Sequence, residues 1–159
     1  MISFEIDNIR NFTSGLFAGN TFDSFLAVEA DFSTACRFKI DGHLNADFVG
    51  EENMQLPEYS EGITYWKKLR PICYEIIKGK TVPRQFTIVF KMPGTYVDDF
   101  LKKTGIASDP ENIDGLFLNV NFRQGRLYCT TGCSMRTFSL DKSLETEWDE
   151  YMTAFLKQF

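Results

Sequence analysis

Apolar residues recur along this chain with two periods, and the period in force at each point predicts the local element. Ile2, Phe4 and Ile6 alternate with polar residues, the pattern of a half-buried strand. Ile9, Phe12 and Leu16 follow at helical spacing behind Asp7, a good N-cap, and Gly19-Asn20 turns the chain. Leu26, Val28, Ala30 and Phe32 then share one face of a strand, with Phe25, Ala27, Glu29 and Asp31 on the other. On a return strand Cys36, Phe38 and Ile40 alternate with Arg37 and Lys39. A three-residue loop, Ser33-Thr34-Ala35, sets Phe32 against Cys36, Ala30 against Phe38 and Val28 against Ile40. It also puts Asp31 opposite Arg37 and Glu29 opposite Lys39, whereas a two-residue loop would set charge against core.

Residues 45–60 are acidic and irregular and predict an exposed, mobile loop. A helix over 60–78 follows, capped by Ser60, with Ile63, Trp66, Leu69, Cys73, Ile76 and Ile77 in phase; Pro71 kinks or restarts it and Gly79 stops it. Phe86, Ile88, Phe90 and Met92 form a strand face, and Thr95-x-x-Asp98 has the form of a capping box opening a short helix that Gly105 ends. Leu116, Leu118, Val120 and Phe122 alternate, turn at Gln124-Gly125 and return as Leu127, Cys129 and Thr131, pairing Phe122 with Leu127 and Val120 with Cys129. Arg136, Phe138 and Leu140 predict one more strand. A closing helix over 141–158, capped by Asp141, carries Leu144, Trp148, Tyr151, Met152, Phe155 and Leu156 as a stripe.

The expected order is therefore β-α-β-β, a middle helix, β-α-β-β-β and a closing helix. This is an α+β fold with antiparallel sheet built from two halves, about 1–44 and 86–140. No linker divides residues 1–159, and neither half buries much alone, so a single domain is expected.

With 159 residues, 43% hydrophobic and 25% charged, the composition is that of a globular domain, which excludes disordered, collagen-like and long coiled-coil classes. No run approaches the ~20 apolar residues that span a bilayer. The first residues lack the basic and apolar regions of a signal peptide, so a cytoplasmic location without membrane association is expected. Cys36, Cys73, Cys129 and Cys133 sit singly among apolar residues and read as reduced core filling.

Charge changes the picture more. Residues 1–66 carry a net of −8, residues 67–91 a net of +6 and residues 92–159 a net of −3. The basic island, with Lys67, Lys68, Arg70, Lys78, Lys80 and Arg84, is a candidate polyanion-binding surface. The alternative is scaffold, with Glu51, Glu52 and Glu58 of the acidic loop folding back to neutralise it.

Candidates for catalysis are sparse. His43, the single histidine, has Asp41 two residues away and no neighbouring Ser or Cys to complete a triad. Cys129-x-x-x-Cys133 lacks the second ligand pair of a structural zinc site and the C-x-x-C spacing of a redox pair. Asp109 to Asp114 lacks the ligand order of a calcium loop, and Gly79-Lys80-Thr81 has no upstream glycine, so it is no phosphate-binding loop. No cofactor motif and no catalytic residue is assigned.

Three segments carry a resemblance: Lys68 through Lys80, the run from Leu127 through Thr130-Thr131-Gly132 to Leu144, and Phe38-Lys39-Ile40-Asp41-Gly42. They resemble an uncharacterised bacterial family of about this length, a domain of unknown function, which implies a soluble cytoplasmic protein and brings no catalytic residues. The β-α-β-β-β order of 86–140 is also similar to half of a DNA sliding-clamp domain, which would imply nucleic-acid association. The leading expectation is a non-enzymatic binding or interaction module, with the partner, protein or nucleic acid, left open. The alternatives are nucleic-acid association through segment 67–91, and an enzyme whose site is assembled from distant residues.

Overall fold

The computed structural model describes all 159 residues. Six strands form one antiparallel sheet: β1 (Ser3–Glu5), β2 (Leu26–Ser33), β3 (Arg37–Asp41), β4 (Gln85–Lys91), β5 (Ile113–Arg123) and β6 (Arg126–Met135), in the spatial order β1-β6-β5-β4-β2-β3. Five helices accompany it: α1 (Ile9–Thr13), which continues as a π turn over Ser14–Ala18, α2 (Ala46–Val49), α3 (Trp66–Ile77), α4 (Gly94–Thr104) and α5 (Ser143–Leu156). The fold is α+β.

Alternation decides which side of the sheet is covered. Phe86, Ile88 and Phe90 of β4, Leu116, Leu118, Val120 and Phe122 of β5, and Leu127, Cys129 and Thr131 of β6 are buried. The intervening residues Thr87, Val89, Asn119, Asn121, Tyr128 and Thr130 stay partly or fully exposed on an open face. α1, α3, α4 and α5 lie on the buried side, where a contiguous core of 29 residues includes Trp66 and Trp148. Aromatic contacts join the elements: Phe17 meets Phe86 at 5.5 Å, Trp66 meets Phe90 at 5.3 Å and Phe22 stacks on Phe90 at 5.5 Å. The Trp66 indole N–H donates 2.8 Å to the Leu16 carbonyl, one of the carbonyls left over where the first helix ends. Thr131, buried between β6 and α5, donates to the Asp149 carboxylate and accepts from the Ile2 N–H at 2.9 Å.

The β5–β6 hairpin follows its apolar pattern, with Phe122 opposite Leu127 and Val120 opposite Cys129. Its two-residue turn, Gln124-Gly125, has φ of +54° and +74°, the twist that tight hairpins favour. Gly42 is required sterically, because a Cβ there would lie 1.6 Å from the Ala27 carbonyl oxygen.

Several expectations are corrected. The β2–β3 hairpin keeps a three-residue loop, but the loop is Thr34-Ala35-Cys36. Phe32 therefore faces Phe38, Ala30 faces Ile40 and Asp31 faces Lys39. A bulge between Ala27 and Glu29 in the β2–β4 pairing resets the phase, so that Ala27 as well as Ala30 and Phe32 is fully buried. The middle helix begins at Trp66 rather than at Ser60, whose hydroxyl turns back to the Pro57 carbonyl at 3.0 Å. Ile63 and Tyr65 are held extended by bridges to His43 and Leu26. Pro71 sits inside an uninterrupted α3. Within the acidic segment only α2 and a 3-10 turn over Asn53–Gln55 are helical. Asn8 rather than Asp7 caps α1, accepting from the Asn11 N–H at 3.0 Å.

The capping box at Thr95 is not made. α4 starts at Gly94, whose N–H donates 2.8 Å to Glu61 of a distant loop. The strand expected over 136–140 is absent, because β5 begins opposite Met135 and supplies no partner further along. Asn112 takes the Thr137 N–H and hydroxyl instead, and Phe138 and Leu140 stand 90% and 85% exposed. Each half is thus β-α-β-β. Asp141 does serve the closing helix, accepting from the Ser143 N–H at 2.9 Å.

Candidate binding surfaces

The basic island is split by the fold. Lys67, Lys68 and Arg70 lie on α3, while Lys78, Lys80 and Arg84 follow its C-terminal end. Arg70 is half-buried and grips Asp23 through two bonds of 2.8 and 3.0 Å, which holds its guanidinium charged. Lys68 is raised in pKa by hydrogen bonds to the Tyr59 hydroxyl at 3.1 Å and to Glu58 at 3.0 Å, so one glutamate of the acidic segment does fold back on it. Glu51 and Glu52 remain exposed and take no part in an ion pair. Lys78 is held by Glu75 at 2.6 Å. Lys67, Lys80 and Arg84 are exposed, and none engages a carboxylate. Lys78, Lys80 and Arg84 share a depression of about 510 Å³ with Thr34 and Ala35 of the β2–β3 turn; Lys67, Lys68 and Arg70 do not line it.

A second concavity, of about 390 Å³, runs between α4 and α5. Met92, Phe100, Tyr96 and Tyr151 give it an apolar floor, and Asp99, Glu147, Glu150 and Lys103 line its rim. Helical spacing puts these groups together: Tyr96, Asp99 and Lys103 lie three and four apart on α4, as do Glu147, Glu150 and Tyr151 on α5. Tyr151 stacks on Trp148 at 5.7 Å and meets the edge of Phe100 at 5.6 Å, which fixes the ring while 44% of the residue stays exposed. None of the three rim carboxylates enters an ion pair. Each helix alone reads as ordinary amphipathic surface, so sequence reasoning had no signal for this groove.

A smaller, more polar hollow of about 200 Å³ lies at the start of α4, with Glu61, Lys91, Asp98, Asp114 and Arg136 around it. Glu61 is committed there to the Gly94 N–H and Asp114 to Arg136 at 3.2 Å. Nearby, burial first and Glu61 second raise the Tyr65 pKa.

The residues weighed for catalysis stand apart. His43 is exposed, with Nδ1 2.7 Å from Asp41 at the hairpin end. Burial pushes the thiols of Cys73 and Cys129 up to about 12, which makes them inert at neutral pH. Cys133 is half-buried, and Cys36, expected in the core, is exposed because it falls in the shifted hairpin loop. No three His, Cys, Asp or Glu side chains converge as metal ligands. No helix is long and apolar enough to cross a membrane.

The molecule is therefore a two-layer α+β protein with one covered and one open sheet face. Residues 15–159 match the model of a family of unknown function (DUF5721), and the chain belongs to that family. No curated protein and no solved structure matches it.

Proposed function

We propose that this protein is a non-enzymatic interaction module, and that the α4–α5 groove receives a lysine- or arginine-bearing segment of a partner protein. One observation carries the reading: exposed aromatic rings and three carboxylates free of ion pairs converge on a single concavity. An ammonium or guanidinium group over Tyr96 or Tyr151 gains ~0.5–2 kcal/mol from the ring. A carboxylate at the rim adds a charge-assisted hydrogen bond, bidentate for arginine. Aromatic residues in such clefts are also the usual anchors of protein interfaces.

Calorimetric titration with short peptides tests it. A peptide alternating Arg with Leu should bind, Tyr151→Ala and Glu150→Lys should each abolish the heat, and a Glu-containing counterpart should give none. Binding that ignores both substitutions, or favours the acidic peptide, overturns the proposal.

A second reading, nucleic-acid association through segment 67–91, is supported by the shared depression of Lys78, Lys80 and Arg84. The ion pairs of Lys68, Arg70 and Lys78 weigh against the whole island acting as one face. The likeness to half of a sliding-clamp domain favours the same reading, but each half here ends one strand short of the β-α-β-β-β order. In either reading residues 1–159 work as one domain in a bacterial cytoplasm, where the thiols stay reduced.

A further inference from the structure

We infer that the sheet end formed by the β2–β3 turn, the β5–β6 turn and the α3–β4 connection binds the phosphate backbone of a single-stranded nucleic acid. Strand register builds the surface. Ser33 pairs with both Arg37 and Gln85, Gln85 with Arg123, and Arg123 with Arg126. These residues form one unbroken row on the open face across five strands, ~19 Å long at ordinary strand spacing. Arg84 stands at its outer margin, donating its backbone N–H to the Ser33 carbonyl at 2.8 Å, and shares the neighbouring depression with Lys78 and Lys80.

Six cations thus meet at one end, drawn from three separate stretches of chain. The carboxylates at this end are Asp31, Glu75, Glu5 and Asp7. The first three are held by Arg37 at 2.6 Å, Lys78 at 2.6 Å and Arg126 at 2.8 Å, and Asp7 lies exposed between β1 and α1. Lys80, Arg84 and Arg123 are exposed and engage no carboxylate.

The row is longer than a single phosphate group, so it suits a repeating anion. The next row inward on the open face presents Thr87, Asn121 and Tyr128, with the Arg126 guanidinium 5.4 Å from the Tyr128 ring centre. Cations for a backbone, beside amide, hydroxyl and ring groups for unstacked bases, are what an open antiparallel sheet offers a single strand. A duplex keeps its bases stacked away from such groups.

Fluorescence anisotropy of a labelled single-stranded DNA of ~12 nucleotides with the full chain tests this. At ~50 mM salt the protein should bind saturably and lose affinity steeply as salt rises. Combining Lys80→Glu, Arg84→Glu and Arg123→Glu should weaken binding by ~10-fold or more and reduce the salt slope by ~2, at ~0.7 per phosphate contact. The same charge change made by Lys102→Glu, Lys142→Glu and Lys157→Glu, exposed positions outside the basic end, should leave the affinity nearly unchanged, and a matched melting midpoint shows that both variants fold. Absence of binding, equal loss in the two triple variants, or tighter binding of a duplex of the same length overturns the inference.

Discussion

Trp148 fastens α5 to the sheet by two means at once. Its ring is fully buried against Phe100 and Tyr151, and its indole N–H donates 3.0 Å to the Phe117 carbonyl. Trp148→Ala should cost ~3–5 kcal/mol in urea unfolding, the usual range for emptying a large aromatic site. Trp148→Phe should cost less, since it keeps an aromatic ring and gives up only the indole hydrogen bond, a net loss of ~0.5–1.5 kcal/mol. Glu147→Ala, one residue away on the rim, should leave the midpoint in place; equal, small effects from Trp148→Ala and Glu147→Ala would mean that α5 is not docked. The helical stripe announced this anchor, because a period of 3.6 places Leu144, Trp148, Met152 and Leu156 on one side. Cysteine shows where such reading stops. All four alternate with apolar neighbours, yet a loop shifted by one residue puts Cys36 in solvent while Cys73 and Cys129 are buried. The buried thiols give a pH signature. Their folded pKa of about 12 lies above the ordinary 9.0, so the folded state holds protons that the unfolded state releases. Their contribution to stability is complete below pH 9.0 and is lost as pH rises toward about 12. Urea unfolding across that window should show stability falling more steeply in the natural protein than in Cys73→Ala/Cys129→Ala; parallel slopes would refute it.

Helix termini show how local signals compete with the rest of the fold. Thr95-x-x-Asp98 has the spacing of a capping box, but Glu61 reaches the first N–H of α4 from a loop 33 residues earlier and starts the helix at Gly94. A carboxylate at that position also meets the positive end of the helix dipole. Glu61→Ala should therefore cost ~1 kcal/mol, as loss of a cap does, whereas Thr95→Ala should cost little. Thermal unfolding of the two variants separates the assignments, and the reverse order would restore the capping box. Hairpins follow the same logic. For β5–β6 both strands carry long apolar faces and a turn with a fixed twist, so only one register works. For β2–β3 the outer strand is mostly exposed, a shift of two residues keeps every face, and the pattern cannot choose between the two pairings.

At the scale of the whole molecule, periodicity tells which face of a strand is apolar but not which strand lies beside it. Nothing in the sequence says that β1 joins β6, or that β2 pairs with β4. The basic end stayed hidden for the same reason: Arg37, Arg123 and Arg126 lie in separate acidic or neutral segments, and only the register lines them up with Arg84. These cross-pairings also make the two halves interdependent. β2 shares its longest pairing with β4, β1 pairs only with β6, and Phe17 and Phe22 of the first half, with Trp66 of α3, pack on Phe86 and Phe90 of the second. Cutting in the exposed α3–β4 connection, between Thr81 and Val82, should therefore give two fragments that each lack a cooperative melting transition. Each would expose one side of the β2–β4 pair and an aromatic surface that its own residues cannot cover. Mixed together, the fragments should recover the far-ultraviolet spectrum and the melt of the intact chain, since the cut removes no core contact. If the 82–159 fragment melts cooperatively by itself, the β4–β6 meander with α4 and α5 is a self-sufficient unit, and the single-domain reading falls.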